Sequence, residues 1–435
     1  MLVVVPRSEF KMFGLPSVRV ADRLVVGTAT TSVSLTIDTS GLNFTPRHLL
    51  IRAMMTNDSS HNGSNIGIQY NSDTGSNYSY QLATAYNTTK AAYVGTIAYD
   101  AILGNITNAS GDLCAGEVLV LDAFSTRSHK SSIGLVSRDA QVIREGYNRW
   151  ANTAAITSVT IFTVGGTGKF DTGSAFEVLA IDENYNIDEQ ILGSDGQFDV
   201  SSISASNGSI VQILNSRSDY SGDVDDLKIE INSDTTSGNY RRQSRSGIAT
   251  TAAASSASSS FIGTTCGNTA VDDAFGAAVL VYPNFADGSA ADRSYQVMSG
   301  HVGDGSDSRY FFTGGSRDNT EAITALSIVP TNGTNFLTDS MLSTYVVGAA
   351  TDTRVLLARV ELASDNANMG FSSIDSGYHD LEVVGSIRSA RAGISEDGMY
   401  VTLNSDTTDG NYVRQIWLTN GTGNTVARAT SNRAP

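Results

Sequence analysis

Residues 232–240 read Asn-Ser-Asp-Thr-Thr-Ser-Gly-Asn-Tyr, and close variants of this stretch occur twice more in the chain. The variants are Asn-Ser-Asp-Thr-Gly-Ser-Asn-Tyr at 71–78 and Asn-Ser-Asp-Thr-Thr-Asp-Gly-Asn-Tyr at 404–412. Each copy follows a segment in which apolar residues alternate with polar ones, and each has a glutamine three residues after its tyrosine. Such self-similarity indicates that one structural unit is repeated along the chain.

The motif has the composition of a turn. Asn and Asp side chains bond the backbone two residues on, and Asn and Gly tolerate positive φ, so we interpret it as a hairpin tip. The tyrosine then starts the returning strand, with its ring across the sandwich edge or between copies. The residues concerned are Asn71, Asp73, Asn77 and Tyr78, then Asn232, Asp234, Asn239 and Tyr240, then Asn404, Asp406, Asn411 and Tyr412.

The alternative interpretation is that the aspartates of the motif, with neighbouring carbonyls, bind Ca²⁺. Calcium takes about six to eight oxygen ligands, and each copy offers only one or two carboxylates. The structural interpretation of the motif is therefore favoured.

The similarity extends well beyond the turn. Val-Leu-Val at 118–120 recurs at 279–281, and Ala-Ile-Thr at 155–157 recurs at 322–324. The period of about 160–170 residues is far longer than a solenoid repeat, so each copy should be a domain. We predict an arm or docking segment at 1–19, sandwich repeats at 20–183 and 184–365, and a partial third repeat at 366–435. The third lacks the later strands, so we expect residues 1–45 or a neighbouring subunit to complete it.

The residue pattern around these copies is that of β-strands. The stretches 32–37 and 227–231 alternate in polarity, which places one face on a core and the other in water. The continuous apolar runs at 118–121 and 277–281 indicate central strands covered on both faces. The sequence therefore predicts an all-β protein made of tandem antiparallel β-sandwich, jelly-roll-like domains, which in tandem would form an extended object.

Two stretches depart from this pattern. Residues 139–144 are the best candidate for a short helix. Residues 248–260, rich in Ala, Ser and Thr, are typical of a mobile loop.

Composition excludes several classes of partner. Only 17% of the residues are charged, and the net charge of −16 argues against binding to phosphate backbones or anionic membranes. No apolar run approaches the length of a membrane helix, so no membrane insertion is expected. The two cysteines, Cys114 and Cys266, lack the spacing of a metal site or disulfide framework.

Catalytic and metal-binding signatures are not found in the sequence. There is no G-x-S-x-G elbow, and the five histidines show no paired spacing, so we predict neither catalytic residues nor a metal site. Trp150 and Trp417 are the candidates for an aromatic glycan contact. In the second copy Asp318 aligns with Trp150, so we interpret Trp150 first as packing and alternatively as a glycan contact.

The first copy carries the longest set of related motifs: His-Leu-Leu-Ile-Arg at 48–52, the turn at 71–78, Ala-Ile-Thr-Ser at 155–158 and Gly-Lys-Phe-Asp-Thr-Gly-Ser at 168–174. This order resembles a repeated β-domain of structural proteins of tailed bacteriophages, notably marine and cyanobacterial ones. The second copy departs from it by losing the His and Arg, and the third by its missing second half. The motifs are structural, so the resemblance implies a virion component and no particular chemistry.

From this resemblance we expect a non-enzymatic virion protein, made in the host cytoplasm: a tail fibre, appendage or virion-surface protein involved in assembly and host attachment. Its expected partners are copies of itself, with a homotrimer favoured, other virion proteins and a host-surface glycan, without nucleic acid. Two alternatives stay open, a carbohydrate-binding surface module and, less favoured, a polysaccharide-degrading tailspike.

Overall fold

The computed structural model shows an all-β chain whose sheets are built from antiparallel strand pairs. It describes residues 18–57, 65–86, 89–104, 114–138, 142–165, 168–203, 209–283, 285, 293–303, 307–347, 412–420 and 423–431. The helices whose bounds both fall within these ranges are two single 3-10 turns, Glu183–Tyr185 and Ser237–Asn239, and neither is long and apolar enough to cross a membrane. The expected all-β, antiparallel sandwich class is confirmed.

The first unit pairs an eight-stranded sheet with a three-stranded one. The large sheet contains β1 Val18–Val25, β3 Leu49–Met55, β5 Tyr78–Tyr86, β6 Thr89–Ile97, β7 Cys114–Leu121, β8 Lys130–Arg138, β9 Val142–Trp150 and β11 Ala175–Ile181. The small sheet contains β2 Ser32–Thr36, β4 Ile66–Tyr70 and β10 Ser158–Thr163. Their spatial orders are β1-β11-β3-β7-β8-β9-β5-β6 and β2-β10-β4.

The second unit has the same plan. Its large sheet contains β12 Asn186–Ile191, β14 Ser209–Ser216, β16 Tyr240–Ile248, β17 Thr251–Ala257, β19 Gly276–Tyr282, β20 Arg293–His301, β21 Arg309–Arg317 and β23 Met341–Val347. Its small sheet contains β13 Phe198–Val200, β15 Val224–Ile231, β18 Phe261–Cys266 and β22 Leu326–Pro330. The orders are β12-β23-β14-β19-β20-β21-β16-β17 and β13-β22-β15-β18. Apart from the added β18, each strand takes the place of its counterpart in the first unit.

The third motif is followed by a hairpin like those of the first two. Strands β24 Tyr412–Asn420 and β25 Gly423–Ser431 pair from Tyr412 opposite Ser431, as β5 pairs with β6 and β16 with β17. The hairpin lies beside β16 and β17 of the second unit. Most of the predicted third repeat, and residues 1–17 of the segment expected to complete it, lie outside the described residues.

The two units pack back to back through their large sheets. Along β3, Leu49 and Ile51 face the small sheet of their own unit, whereas Leu50 joins an apolar cluster that includes Val211 and Val279 of the other unit. Each large sheet therefore has two buried faces, and the layers follow the order small, large, large, small. For the two described units, this arrangement corrects the expectation of an extended object. The faces of the two large sheets that are turned away from their own small sheets carry apolar residues, and these faces cover each other.

Candidate functional site

The asparagine of the motif occupies a tight turn with left-handed backbone. Asn71 and Ser72 have φ of 51° and 57°, and the Asp73 N–H donates to the Tyr70 carbonyl over 3.0 Å. Positive φ at both central residues defines a type I′ hairpin turn, in which Asn is favoured. The second copy matches it, with Asn232 at 52°, Ser233 at 58° and a 3.1 Å bond from the Asp234 N–H to the Ile231 carbonyl.

The side chain of this asparagine ties the turn to a distant segment. Asn71 Nδ2 donates to the Ala155 carbonyl over 2.8 Å, and Asn71 Oδ1 accepts from the N–H groups of Thr157 at 2.7 Å and Ser158 at 3.2 Å. In the second unit, Asn232 makes the same three bonds to Ala322, Thr324 and Ala325, at 2.8, 2.8 and 3.1 Å. The two sequence matches, the turn and the Ala-Ile-Thr segment, are thus the two halves of one contact.

The motif aspartate of the first unit accepts three hydrogen bonds. Asp73 Oδ1 accepts from the Gly75 N–H at 2.8 Å, and Oδ2 accepts from Asn77 Nδ2 at 2.9 Å and from Trp150 Nε1 at 2.7 Å. Burial alone would raise the pKa of Asp73, but the hydrogen bonds from Trp150, Asn77 and Gly75 hold it below its usual value.

The aspartate of the second unit has the same surroundings with one change. Asp234 accepts from the Thr236 N–H at 3.0 Å, Asn239 Nδ2 at 2.9 Å and Arg317 Nε at 2.9 Å. Burial opposes ionisation, yet the hydrogen bonds from Asn239 and Arg317 lower the pKa of Asp234 to about 2.

These contacts favour the structural interpretation of the motif over the Ca²⁺ interpretation. Both carboxylates are surrounded by N–H donors, which satisfy an anion but cannot ligate a cation. Within the described ranges no group of three or more His, Cys, Asp or Glu side chains could hold a metal ion.

The motif tyrosine closes the turn from inside the core. The Tyr78 hydroxyl accepts the Tyr70 N–H at 2.9 Å, and the Tyr240 hydroxyl accepts the Ile231 N–H at 2.9 Å while donating to the Asp234 carbonyl at 2.9 Å. Both rings are fully buried in the core of their own unit. The expectation that the ring lies across the sandwich edge or between copies is therefore wrong for these two copies.

The third motif is only partly covered. Asn404, Asp406 and Asn411 lie outside the described residues. Tyr412 begins β24, as Tyr78 begins β5 and Tyr240 begins β16.

Trp150 is a core residue. It is 1% exposed, and its ring lies 6.2 Å from that of Tyr78, nearly parallel, and 5.5 Å from that of Tyr70. A buried indole cannot stack on a sugar, so the packing interpretation holds and the glycan-contact alternative for Trp150 is wrong. The candidate Trp417 lies in β24 opposite Val426, and its contact with a glycan stays a prediction.

Strand register also corrects the alignment of Trp150. Trp150 is opposite Tyr78 on β5, and Arg317 is opposite Tyr240 on β16. The equivalent of Trp150 is therefore Arg317, one residue before the Asp318 suggested by sequence.

Polar groups bridge the two units inside their shared apolar layer. Glu145, which is fully buried, accepts from Arg245 Nε at 2.6 Å and Nη2 at 2.7 Å. The Tyr147 hydroxyl donates to the Phe275 carbonyl at 2.6 Å. A Cβ added at Gly300 would lie 2.7 Å from the Tyr147 Cβ, so glycine lets the sheets approach closely there.

A cleft of about 660 Å³ opens at one end of the seam between the units. Two arginines and two carboxylates of its lining form ion pairs: Arg47 Nε donates to Glu189 at 2.9 Å, and Asp122 accepts from Arg47 Nη1 and from Arg127 Nη2, each at 3.2 Å. Glu183 also lines the cleft, and burial raises the pKa of its carboxyl. The cleft residues are Thr45, Pro46, Arg47, Asp122, Phe124, Ser125, Thr126, Arg127, Glu183, Asn186 and Glu189.

Sequence reasoning missed both the bridging pair and the cleft. Neither has a motif, because each is assembled from residues of both repeats. One signal was available for the cleft: Asp122 directly follows the apolar run at 118–121, whereas the three residues after the run at 277–281 are uncharged. A charged residue in only one copy, directly after a buried strand, marks a departure from the shared pattern.

A scan against protein-family models and a search of curated proteins found no match. Among solved structures, the search pairs the chain with the binding domain of botulinum neurotoxin serotype D/C VPI 5993, at 10% identity over 73% of this chain and 94% of that one. The TM-score of 0.13 is too low to indicate a common fold.

Proposed function

We propose that this protein is a non-enzymatic structural component of a tailed-phage virion: a tail fibre, appendage or virion-surface protein that serves assembly and host attachment. The observation that carries the proposal is the use of the repeated polar residues. In both described motifs the side chains of the asparagine, aspartate and tyrosine form hydrogen bonds that stabilise the turn and attach it to its own sandwich. A repeated feature devoted to shape fits a building block better than a reactive site.

The sheet edges support assembly into a homo-oligomer. Strands β1 and β12 each end the order of a large sheet, and both carry exposed apolar side chains, Val20 and Val25 on β1 and Ile187 and Ile191 on β12. An edge strand with exposed apolar residues can pair with a strand of another chain. Symmetric assembly would cover such edges and limit the pairing to a closed oligomer. A homotrimer is the form that we propose, with other virion proteins as further partners.

Two measurements test this proposal. Sedimentation equilibrium of the full chain should give a mass three times that of the 45.8 kDa chain. Gold-labelled antibodies against the chain should decorate the tail or surface of purified particles in electron micrographs. A stable monomer in sedimentation equilibrium would contradict the proposal. So would particles that the antibodies do not label, provided that the same antibodies detect the chain in a lysate of the host.

The polysaccharide-degrading alternative requires a separate assay. The carboxylates of Asp122 and Glu189 in the cleft are engaged in ion pairs with Arg47 and Arg127, an arrangement that suits a structural role. Incubation of the chain with host polysaccharide should release no reducing ends. Release that depends on Glu183 or Glu189 would establish an enzyme instead.

A further inference from the structure

We propose that the cleft between the two units binds a saccharide through pairs of neighbouring hydroxyl groups. This inference rests on the attachment role proposed above and names the ligand class and the site. The cleft is formed only by the packing of the two repeats, since Arg47 and Asp122 belong to the first unit and Asn186 and Glu189 to the first strand of the second. Its volume of about 660 Å³ lies within the range of about 300–1,000 Å³ that is usual for small-molecule sites.

The lining groups are suited to vicinal hydroxyls. Guanidinium and carboxylate groups are planar forks with two parallel donors or acceptors, which match two adjacent hydroxyl groups of a sugar ring. Arg127 and Glu189 are 27% and 32% exposed, so each presents polar atoms to the cleft while it remains in its ion pair. Arg47 is 21% exposed, and it holds Glu189 in place by donating to it from both Nε and Nη2. Phe124, partly buried, adds an apolar surface to the lining, which suits the C–H face of a sugar.

The charges of the cleft favour a neutral sugar. Asp122 is paired with both Arg47 and Arg127, and Glu189 is paired with Arg47, while the third carboxyl group, that of Glu183, accepts hydrogen bonds from Asn186 and Tyr345. A ligand with a net charge would meet an opposing group of its own sign at close range. A polyhydroxylated neutral ring can instead donate to the carboxylates and accept from the guanidinium groups.

The cleft is held in a fixed geometry from behind. The Asp122 N–H donates to His48 Nδ1 at 3.2 Å, and the buried Lys130 ammonium donates to the carbonyls of Ser128 at 3.1 Å and Thr153 at 3.2 Å. These bonds fix the segment that carries Phe124 and Arg127 before a ligand arrives. A site that is already ordered loses less conformational entropy on binding.

A comparison of the copies shows that shape alone does not require these residues. The second repeat builds the same strand order, and its register, with Ile210 opposite Tyr282 where the first unit has Leu49 opposite Val120, gives Asn284 of the sequence at the place of Asp122. The ion-pair network of the cleft is therefore an addition to the common plan.

The test uses the intact chain and a glycan array that carries both neutral and acidic bacterial-surface oligosaccharides, followed by calorimetric titration with the best neutral sugar. Arg127→Gln and Glu189→Gln should each weaken binding by about tenfold or more, the effect of one lost charged hydrogen bond. Glu230→Gln is the matched control, because this carboxylate forms an ion pair with Lys228 on the small sheet of the second unit, away from the cleft. Thermal unfolding of each variant should show one cooperative transition, so that weaker binding reports on the cleft and not on a loss of the fold.

Three outcomes would overturn the inference. They are silence of the whole array at millimolar sugar, binding confined to acidic glycans, and neutral-sugar binding that is unchanged in both cleft variants. The antibody labelling of virus particles does not depend on these three outcomes. The saccharide site can therefore be disproved while the proposed role as a virion component still stands.

Discussion

Trp150 and Arg317 occupy equivalent positions in the two units, and each donates a hydrogen bond to the motif aspartate of its own unit, one from an indole and the other from a guanidinium group. The indole Nε1 of Trp150 lies 2.7 Å from Asp73 Oδ2, and the guanidinium Nε of Arg317 lies 2.9 Å from Asp234 Oδ2. Both donors project from the last residue of a strand toward the turn of the motif. Both units therefore have an N–H donor at this position, although the side chain that carries it differs.

Removal of either donor should destabilise its unit. Trp150→Phe keeps most of the ring packing and loses one hydrogen bond, for an expected loss of about 1–2 kcal/mol in the free energy of unfolding. Arg317→Met should cost more, about 1.5–3 kcal/mol, because a charged donor is lost from a carboxylate. Urea unfolding of the chain measures both. Arg241→Met, at an exposed position of β16, is the control, and equal midpoints for all variants would contradict the prediction.

The turn asparagine allows backbone and side-chain effects to be separated. Asn71→Gly keeps the positive φ but loses four side-chain hydrogen bonds, so we expect a loss of about 2–3 kcal/mol. Asn71→Ala adds the strain of a left-handed alanine and should cost about 1 kcal/mol more. Ser72→Gly, next along the turn, should be neutral or stabilising by up to about 1 kcal/mol. A destabilising Ser72→Gly would show that the turn is held differently.

Two buried histidines should make the protein sensitive to acid. Burial lowers the pKa of both His48 and His301 to about 3, from 6.5 in the unfolded chain. Between pH 6.5 and 3 the unfolded state binds protons that the folded state does not, so stability falls as the pH falls. Each ring should contribute a slope of about 1.4 kcal/mol per pH unit in that window. Urea midpoints from pH 7 to pH 4 measure the slope, and it should be shallower in His48→Gln and His301→Gln.

Close approach of the large sheets can be tested at two glycines. Gly300→Ala would place a Cβ 2.7 Å from the Tyr147 Cβ and 3.0 Å from the Arg309 carbonyl oxygen. We expect a loss of about 1–3 kcal/mol from overpacking. Gly314→Ala is the control, since nothing lies within 4 Å of its added methyl group. Similar thermal midpoints for the two variants would mean that the sheets can separate there without cost.

Strand type and repetition could be predicted from the sequence, because they depend on local alternation and on self-similarity. The continuous apolar run at 118–121 also predicted correctly a strand covered on both faces: Val118 and Val120 lie in the core of the first unit, Leu119 and Leu121 in the layer between the units. What covers the second face could not be predicted, since the covering residues come from the other repeat.

The errors have a similar origin. Residues 142–144 belong to β9 and not to the short helix expected at 139–144, because pairing with β8 and β5 decides their conformation. Residues 251–257, expected to be a mobile loop, form β17, since small Ala and Ser residues pair well beside β16. In the candidate site, the sequence identified the motif residues but not Arg47, Glu189 or Arg245, whose partners are more than 60 residues away in the chain.

The ion pair between Glu145 and Arg245 gives a direct test of how strongly the two repeats depend on each other. Arg245→Met leaves the Glu145 carboxylate buried between the sheets, which should cost about 3–5 kcal/mol and weaken both units together. Replacing Glu145 by Met as well removes the uncompensated charge, so the double variant should recover most of that loss. Lys228→Met, which breaks a partly exposed pair, should cost less than about 1 kcal/mol. Urea unfolding monitored by far-ultraviolet circular dichroism measures all four proteins. A single Arg245→Met variant as stable as the parent would mean that this ion pair does not hold the two units together.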